Sequence, residues 1–429
     1  MNVLLLAVGS HGDVHPFVGI GKGLRERGHA VTVAANELFE PVISHAGLTF
    51  AQLGSAEEFH RVASDPAMWG RLNSFQVVME KGVKPGLRPM CDMVCDFVAR
   101  GDAIVAGSSL AMGMRIAEDK LKAPMALVHL SPAIARTRYD VPRLPGVPVR
   151  SWMPMWMKVA FNWFADKAMI DRVLRKPIDS VRREVGLPPV QGTLWNWWNG
   201  AHRMIGLWPD WFGPRQPDWP ENLRLAGFPL YDERERRPMS DELLRFLDGG
   251  DPPVAFTAGS AMWSEHHFFD ESAAACERIG RRGLLLTRHR EMVPERLPAN
   301  VMHVAYAPFG ELFPRCAIAV HHGGVGTTAQ ALASGVRQIV MPFAHDQLDN
   351  ANRVVKLGVG RWIEPRAYRA GNVARVMTGM LGDEPMHRRC GEVKAKFAGV
   401  DGVGEACELI ESMPTINALT PVREEMLGR

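Results

Sequence analysis

The stretch IAVHHGGVGTTAQALASG, residues 318–335, decides the reading of this chain. A short apolar run at 318–321 ends abruptly at glycines, and helix-forming residues follow through Ala333. That order is the strand, turn and helix unit of a doubly wound α/β sheet. Glycines let an anionic group approach the main chain, and the first N–H groups of the following helix lack partners within it. Both properties favour a phosphate against Gly324, Val325, Gly326, Thr327 and Thr328.

Outward from that turn the same unit recurs. Residues 3–6 form an apolar run, Gly9-Ser10-His11-Gly12-Asp13 a turn, residues 16–27 a helical pattern stopped by Gly28, and residues 30–34 the next apolar run. Runs at 103–106 and 125–130 continue the first series, and runs at 254–257, 284–287, 301–304, 318–321 and 338–341 make a second. The rhythm predicts an α/β chain of two Rossmann-like parallel sheets. Between them GFPLYDERERRP, residues 227–238, joins two prolines to a charged run and reads as a solvated linker.

Composition narrows the classes. A chain of 429 residues exceeds one ordinary core, and 46% hydrophobic with 23% charged residues is the balance of a globular protein. A net charge of +3 offers no electrostatic footprint for nucleic acid. The six cysteines are scattered, which speaks against a zinc site or a disulfide framework. MNVLLLAVGSHGDV has neither a basic n-region nor a cleavage site, so it reads as a first strand, and a cytoplasmic protein is expected. The segment 152–219 carries nine of the twelve tryptophans, among several methionines. It reads as core, as a deep apolar pocket, or as a lipid-facing surface in peripheral membrane contact.

The neighbourhood of His322 sharpens the glycine turn. Tyr306-Ala307-Pro308-Phe309 lies upstream, and Met341-Pro342-Phe343-Ala344-His345-Asp346-Gln347 downstream. Over these roughly 40 residues the chain resembles the donor signature of the UDP-glycosyltransferase superfamily. RLPGVP, GFPL and AHDQLDNANR are most similar to bacterial rhamnosyltransferases of the rhamnolipid type and to natural-product glycosyltransferases. The resemblance implies a GT-B fold with two halves facing a cleft. It implies an inverting, metal-independent transfer without a cofactor, the nucleotide-sugar being a co-substrate. An acceptor-binding domain is expected at 1–226, a linker at 227–238 and a donor-binding domain at 239–429, whose last helix packs back on the first.

Carried residue by residue, the resemblance gives Tyr306 the stack on the nucleobase and His322 a donor phosphate. Asp346 and Gln347 hold sugar hydroxyls, and Gly259-Ser260 forms a second diphosphate-facing loop. His11 becomes the general base on the acceptor hydroxyl, with Asp13 the alternative base. Two departures stand out. Gln330 replaces the ribose-binding Glu, which favours a deoxyribose and hence a dTDP-sugar over a UDP-sugar. Gly107-Ser108-Ser109 stands where many members keep an Asp to orient the base, leaving that duty to Asp13 or a serine.

The expected reaction moves a hexose, rhamnose among the candidates, to a hydroxyl on a hydrophobic small molecule or lipid. A dinucleotide-dependent dehydrogenase is the first rival, but the first turn lacks G-x-G-x-x-G and Ala34-Ala35-Asn36 carries no acidic ribose ligand. A non-catalytic auxiliary protein and a sugar-nucleotide epimerase are the remaining alternatives.

Overall fold

The computed structural model describes residues 1–70, 74–235, 237–259 and 266–417. Its first sheet contains β1 (Asn2–Leu6), β2 (Ala30–Ala35), β3 (Thr49–Gln52), β4 (Ala103–Ser108), β5 (Ala126–His129), β6 (Arg203–Gly206) and β7 (Leu223–Leu225). The order is β3-β2-β1-β4-β5-β6-β7, every pair parallel. The second sheet contains β8 (Val254–Thr257), β9 (Gly283–Leu286), β10 (Val301–Val304), β11 (Ile318–His321), β12 (Arg337–Val340) and β13 (Gly360–Trp362). Its order is β10-β9-β8-β11-β12-β13, again parallel throughout.

Helices on both faces explain the apolar runs: a parallel strand is covered twice and needs no alternation. Leu4, Leu5 and Leu6 of β1 have no exposed surface, and neither do Ile318 and Val320 of β11. The strand order reverses between β1 and β4, and between β8 and β11. In such sheets the crevice outside the carboxyl ends of the strands at the reversal is the ligand site. Topology alone therefore singles out the loops after β1 and β4 on one sheet and after β8 and β11 on the other.

The helix Gly402–Glu411 lies against the helix His11–Glu26, with Ala406, Cys407 and Ile410 in one core with Val3 and Leu5. Ile416 then pairs antiparallel with Ala103 on β4. The end of the described chain thus closes over the first sheet.

Two expectations change here. The stretch 227–238 is not a wholly solvated strap: Phe228 and Glu233 are buried, and Tyr231 packs so closely on Gly19 that a methyl there would lie 3.1 Å from its Cβ. The tryptophan-rich segment divides. Trp198, Trp208 and Trp219 are buried, and their indole N–H groups donate to the carbonyls of Ser109, Gly213 and Ala135. Trp152, Trp156 and Trp163 instead stand in solvent.

Candidate active site

The first turn follows β1. Gly9 has φ +134°, a conformation open to glycine, and a methyl there would collide with the Asp13 carboxylate. That carboxylate bends back over the helix start. Its Oδ2 accepts from Ser10 N at 2.7 Å and Ser10 Oγ at 2.9 Å. Burial, with the field of Asp346 across the cleft adding to it, pushes the carboxyl up to about 6. Asp13 thus stands as a cap at the helix start, and the hydrogen bonds of its Oδ2 go to Ser10 rather than to His11.

His11 begins the same helix. Its ring meets Phe39 edge-on at 4.9 Å and His15 at 5.6 Å. From the second half, Arg288 Nη1 lies 3.2 Å from His11 Nε2. An arginine only donates, so the lone pair is on Nε2 and the ring proton on Nδ1. Burial and the charges of His15 and Arg288 drive the imidazole down to about 3, so it is neutral at pH 7. The serines after β4 do not assist it. Ser108 Oγ accepts from Val8 N at 3.3 Å, and Ser109 Oγ lies 2.7 Å from His129 Nδ1.

The second turn follows β11 and is built differently. His321 is buried, with Nε2 3.0 Å from Gln338 Oε1 and Nδ1 accepting from Gly323 N at 3.1 Å. This pins Gly323 at φ +92°, where a methyl would lie 2.7 Å from Val340 Cγ1. His322 then slots between two glycines. A methyl on Gly259 would lie 2.7 Å from its Cε1, and one on Gly324 would collide with Nε2. His322 Nδ1 is buried with no hydrogen-bond partner among the described residues, and burial holds the ring neutral, down to about 3.

The helix Val325–Ser334 starts here with no acidic residue in its first turn, and Gly335 at φ +73° ends it. Its opening N–H groups have no intrahelical acceptor, and no side chain caps the start. Thr328 leaves the predicted cradle: its N and Oγ1 both donate to Gly324 O, each at 3.0 Å. The open donors end at Thr327.

The remaining sequence candidates are partly committed elsewhere. Tyr306 carries the Arg237 guanidinium over its ring at 4.0 Å, so one face is already stacked. Gln330 is buried, and its Nε2 points to Tyr231 O at 3.4 Å, away from the role expected for a ribose ligand. Gln347 Oε1 accepts from Phe343 N at 2.8 Å and Ala344 N at 3.1 Å, which shapes the turn and leaves only its amide nitrogen for a sugar. Asp346 stands just before the next helix without capping it, and its side chain accepts from Asn350 Nδ2 at 2.9 Å, while burial raises its carboxyl. His345 before it has φ +54°, a strained conformation for a side chain with a Cβ. Ser260 lies outside the described residues.

Four residues were missed by sequence reasoning. Arg288 reaches His11, and Glu233 lies 3.4 Å from His15 and 4.0 Å from Arg288. Arg237 covers Tyr306, and Asn350 Nδ2 bonds Gly323 O at 2.9 Å, tying the two donor-side loops together. Arg288 carried a signal, as a cation directly beyond β9 at the carboxyl edge of the sheet, and Asn350 lay within the AHDQLDNANR run without a role assigned to it.

Comparison with known proteins agrees with this arrangement. A model of the glycosyltransferase family 28 N-terminal domain matches residues 3–139, and one of the erythromycin biosynthesis protein CIII-like C-terminal domain matches residues 284–407. The O-mycaminosyltylonolide 6-deoxyallosyltransferase of Streptomyces fradiae is 31% identical, across 96% of this chain and 97% of that protein. The chain belongs to the GT-B glycosyltransferase superfamily. The fold is shared with the kitacinnamycin glycotransferase, at TM-score 0.72 and 20% identity over 96% of this chain and 99% of that one. It is shared as well with the spinosyn rhamnosyltransferase SpnG in its thymidine diphosphate complex, at TM-score 0.66 and 16% identity over 96% of this chain and 100% of that one. The protein is thus a glycosyltransferase, with its two glycine turns facing one cleft of the GT-B fold.

Proposed function

We propose that the protein inverts configuration while transferring a hexose, with a 6-deoxyhexose such as rhamnose favoured, from a dTDP-sugar to a hydroxyl of a hydrophobic small molecule. The single observation that carries this reading is the pairing of a neutral imidazole, His11, with an uncapped helix start across the cleft. One can take a proton and the other can hold an anion. The names of the relatives support the finer points: one transfers a 6-deoxyallosyl group to a tylonolide derivative, and one structural neighbour binds thymidine diphosphate.

In the proposed step the acceptor hydroxyl gives its proton to His11 Nε2 as its oxygen bonds to the anomeric carbon. The anomeric C–O bond to the diphosphate breaks, and its electron pair leaves on the phosphate oxygen. The N–H groups of Gly324, Val325, Gly326 and Thr327, with His322 Nδ1, stabilise that charge where another design would use a metal. Arg288 couples the two events. It donates to the lone pair of His11, and a donor diphosphate is the stronger partner for a guanidinium. Drawing Arg288 to the phosphates frees the base only when a donor is present. Asp346 and the Gln347 amide face the sugar, residues 239–429 form the donor half, and residues 1–226 the acceptor half.

Calorimetry with dTDP and UDP, beside a transfer assay on hydrophobic alcohols and macrolide aglycones, tests the reading. Tight dTDP binding lost in His322→Ala is expected. Equal, weak binding of both nucleotides by both proteins would overturn the donor assignment.

A further inference from the structure

The exposed end of the tryptophan-rich segment supplies none of the residues named in the proposed transfer step. The helix Met155–Ala165 runs through a π-turn, Asp166–Asp171, into the helix Arg172–Glu184. Just before and along its first helix Trp152 is 80% exposed, Trp156 71%, Trp163 60% and Phe164 61%, with Met155 and Val159 beside them. A soluble surface scatters such residues singly; a contiguous apolar stripe marks an interaction site.

The charges around the stripe say which kind. Residues 141–165 contain no Asp or Glu. Their only helical cation, Lys158, is buried and donates inward to Ser151 O at 2.7 Å and Arg138 O at 2.9 Å, so the stripe is uninterrupted. Past Phe164 the exposed face continues with Lys167, which pairs with Asp171 at 2.8 Å, and then with Arg172 and Lys176, spaced for one side of the rod once the extra residue of the π-turn is allowed for. Arg172 and Lys176 are exposed and form no ion pair among the described residues. One rod thus presents Trp, Met and Phe at one end and unpaired cations at the other. No helix among the described residues is long and apolar enough to cross a membrane.

We infer that the segment 152–176 is a docking surface for an anionic phospholipid bilayer, with the tryptophans seated at the headgroup boundary and Arg172 and Lys176 on lipid phosphates. Amphipathic tryptophan prefers that depth, and the cations match its negative potential. A second copy of the chain fits less well, because the carboxylates of this segment, Asp166 and Asp171, are buried and already paired, leaving none exposed to receive the cations. The same segment reaches the cleft rim: Arg136 pairs with Asp166 at 2.6 Å, and the adjoining loop donates from Arg143 N to Asp349 at 2.9 Å. Docking would place the acceptor side of the cleft at the lipid surface.

The binding arm of the test needs neither donor nor acceptor. The protein is sedimented with vesicles of dioleoylphosphatidylcholine alone or mixed with dioleoylphosphatidylglycerol, at low and high salt. Binding to the anionic vesicles, weakened by salt, is expected. Trp156→Glu with Trp163→Glu should reduce partitioning about tenfold or more, and Arg172→Glu with Lys176→Glu should remove the preference for anionic lipid. Transfer to a water-soluble acceptor without vesicles should be unchanged in both. Wild type that stays in the supernatant with every vesicle overturns the inference, as do tryptophan variants that bind unchanged. A dimer in the ultracentrifuge that Trp156→Glu dissociates assigns the face to a second copy. Loss of transfer without vesicles assigns it to the acceptor. A wild type inactive in transfer yet bound to anionic vesicles separates failure of the proposed function from failure of the docking surface.

Discussion

The two glycine turns of the cleft are the same device finished in opposite ways. Each follows a parallel strand at a sheet's reversal point, uses a glycine at positive φ and opens a helix. In the first, Asp13 closes over the helix start and accepts from Ser10, so a carboxylate already occupies the positive end. In the second, the first turn carries no acid, Gly324 brings no side chain, and His322 Nδ1 is unsatisfied. The second turn leaves its first helical N–H groups open to an anion and the first does not, and one residue three places into the helix makes that difference.

The strongest way to break this contrast is His11→Ala. Transfer should fall by about 10²–10⁴-fold while dTDP affinity is retained, because the base and the anion site lie on different turns. Loss of dTDP binding with unchanged kcat would reverse the assignment. Next comes Gly259→Ala, which forces a methyl toward the His322 ring and strains a φ of +92°. We expect roughly 10- to 100-fold weaker dTDP binding, the scale of one charge-assisted hydrogen bond, with a folded protein by circular dichroism. Unaltered affinity would show that His322 does not meet the phosphate.

Arg288→Met should raise KM for the donor about tenfold, since one cationic partner of the diphosphate is removed. In the same variant an imidazole-specific alkylating agent should modify His11 faster in the absence of donor. Unchanged KM together with unchanged alkylation would dissolve the proposed coupling.

Asp13→Asn sharpens the comparison through pH. The carboxyl is raised from 3.8 to about 6 in the folded state, so between these values the native protein binds more protons than the unfolded chain. Stability from this group is present below the window and is lost as pH rises through about 6. Asn cannot ionise, and the variant should gain in Tm relative to wild type above pH 6 but not near pH 4. Parallel Tm profiles would mean that Asp13 is not the strained cap described. The smallest effect is expected from Gln330→Glu. Its amide faces Tyr231 O, so dTDP and UDP affinities should shift together, their ratio constant within about twofold. Selective tightening of UDP would restore the ribose-ligand role expected from sequence.

What sequence could supply followed from local pattern. Apolar runs bounded by glycine are short-range information, so 318–321 and 3–6 read correctly as strands, and HHGGVGTT as a turn before a helix. Where a side chain points depends on neighbours far along the chain. Gln330 keeps its spacing from His322, yet 99 residues upstream the Tyr231 carbonyl takes its amide. Arg288 meets His11 across 277 residues, and Glu233 is buried despite a charged, proline-bounded context that reads as solvent. The tryptophans show the same divide within one segment: equal in composition, some of them fill the core and others face water.

The sequence by itself determined the two parallel sheets and the glycine turn at each reversal point, because apolar periodicity and glycine turns act within a few residues. Only the tertiary structure decided which turn was already capped, which candidates were spent on internal hydrogen bonds, and which cation held the base. Those outcomes depend on how two halves of one chain meet in a shared cleft, where burial sets both the partners and the protonation of each group.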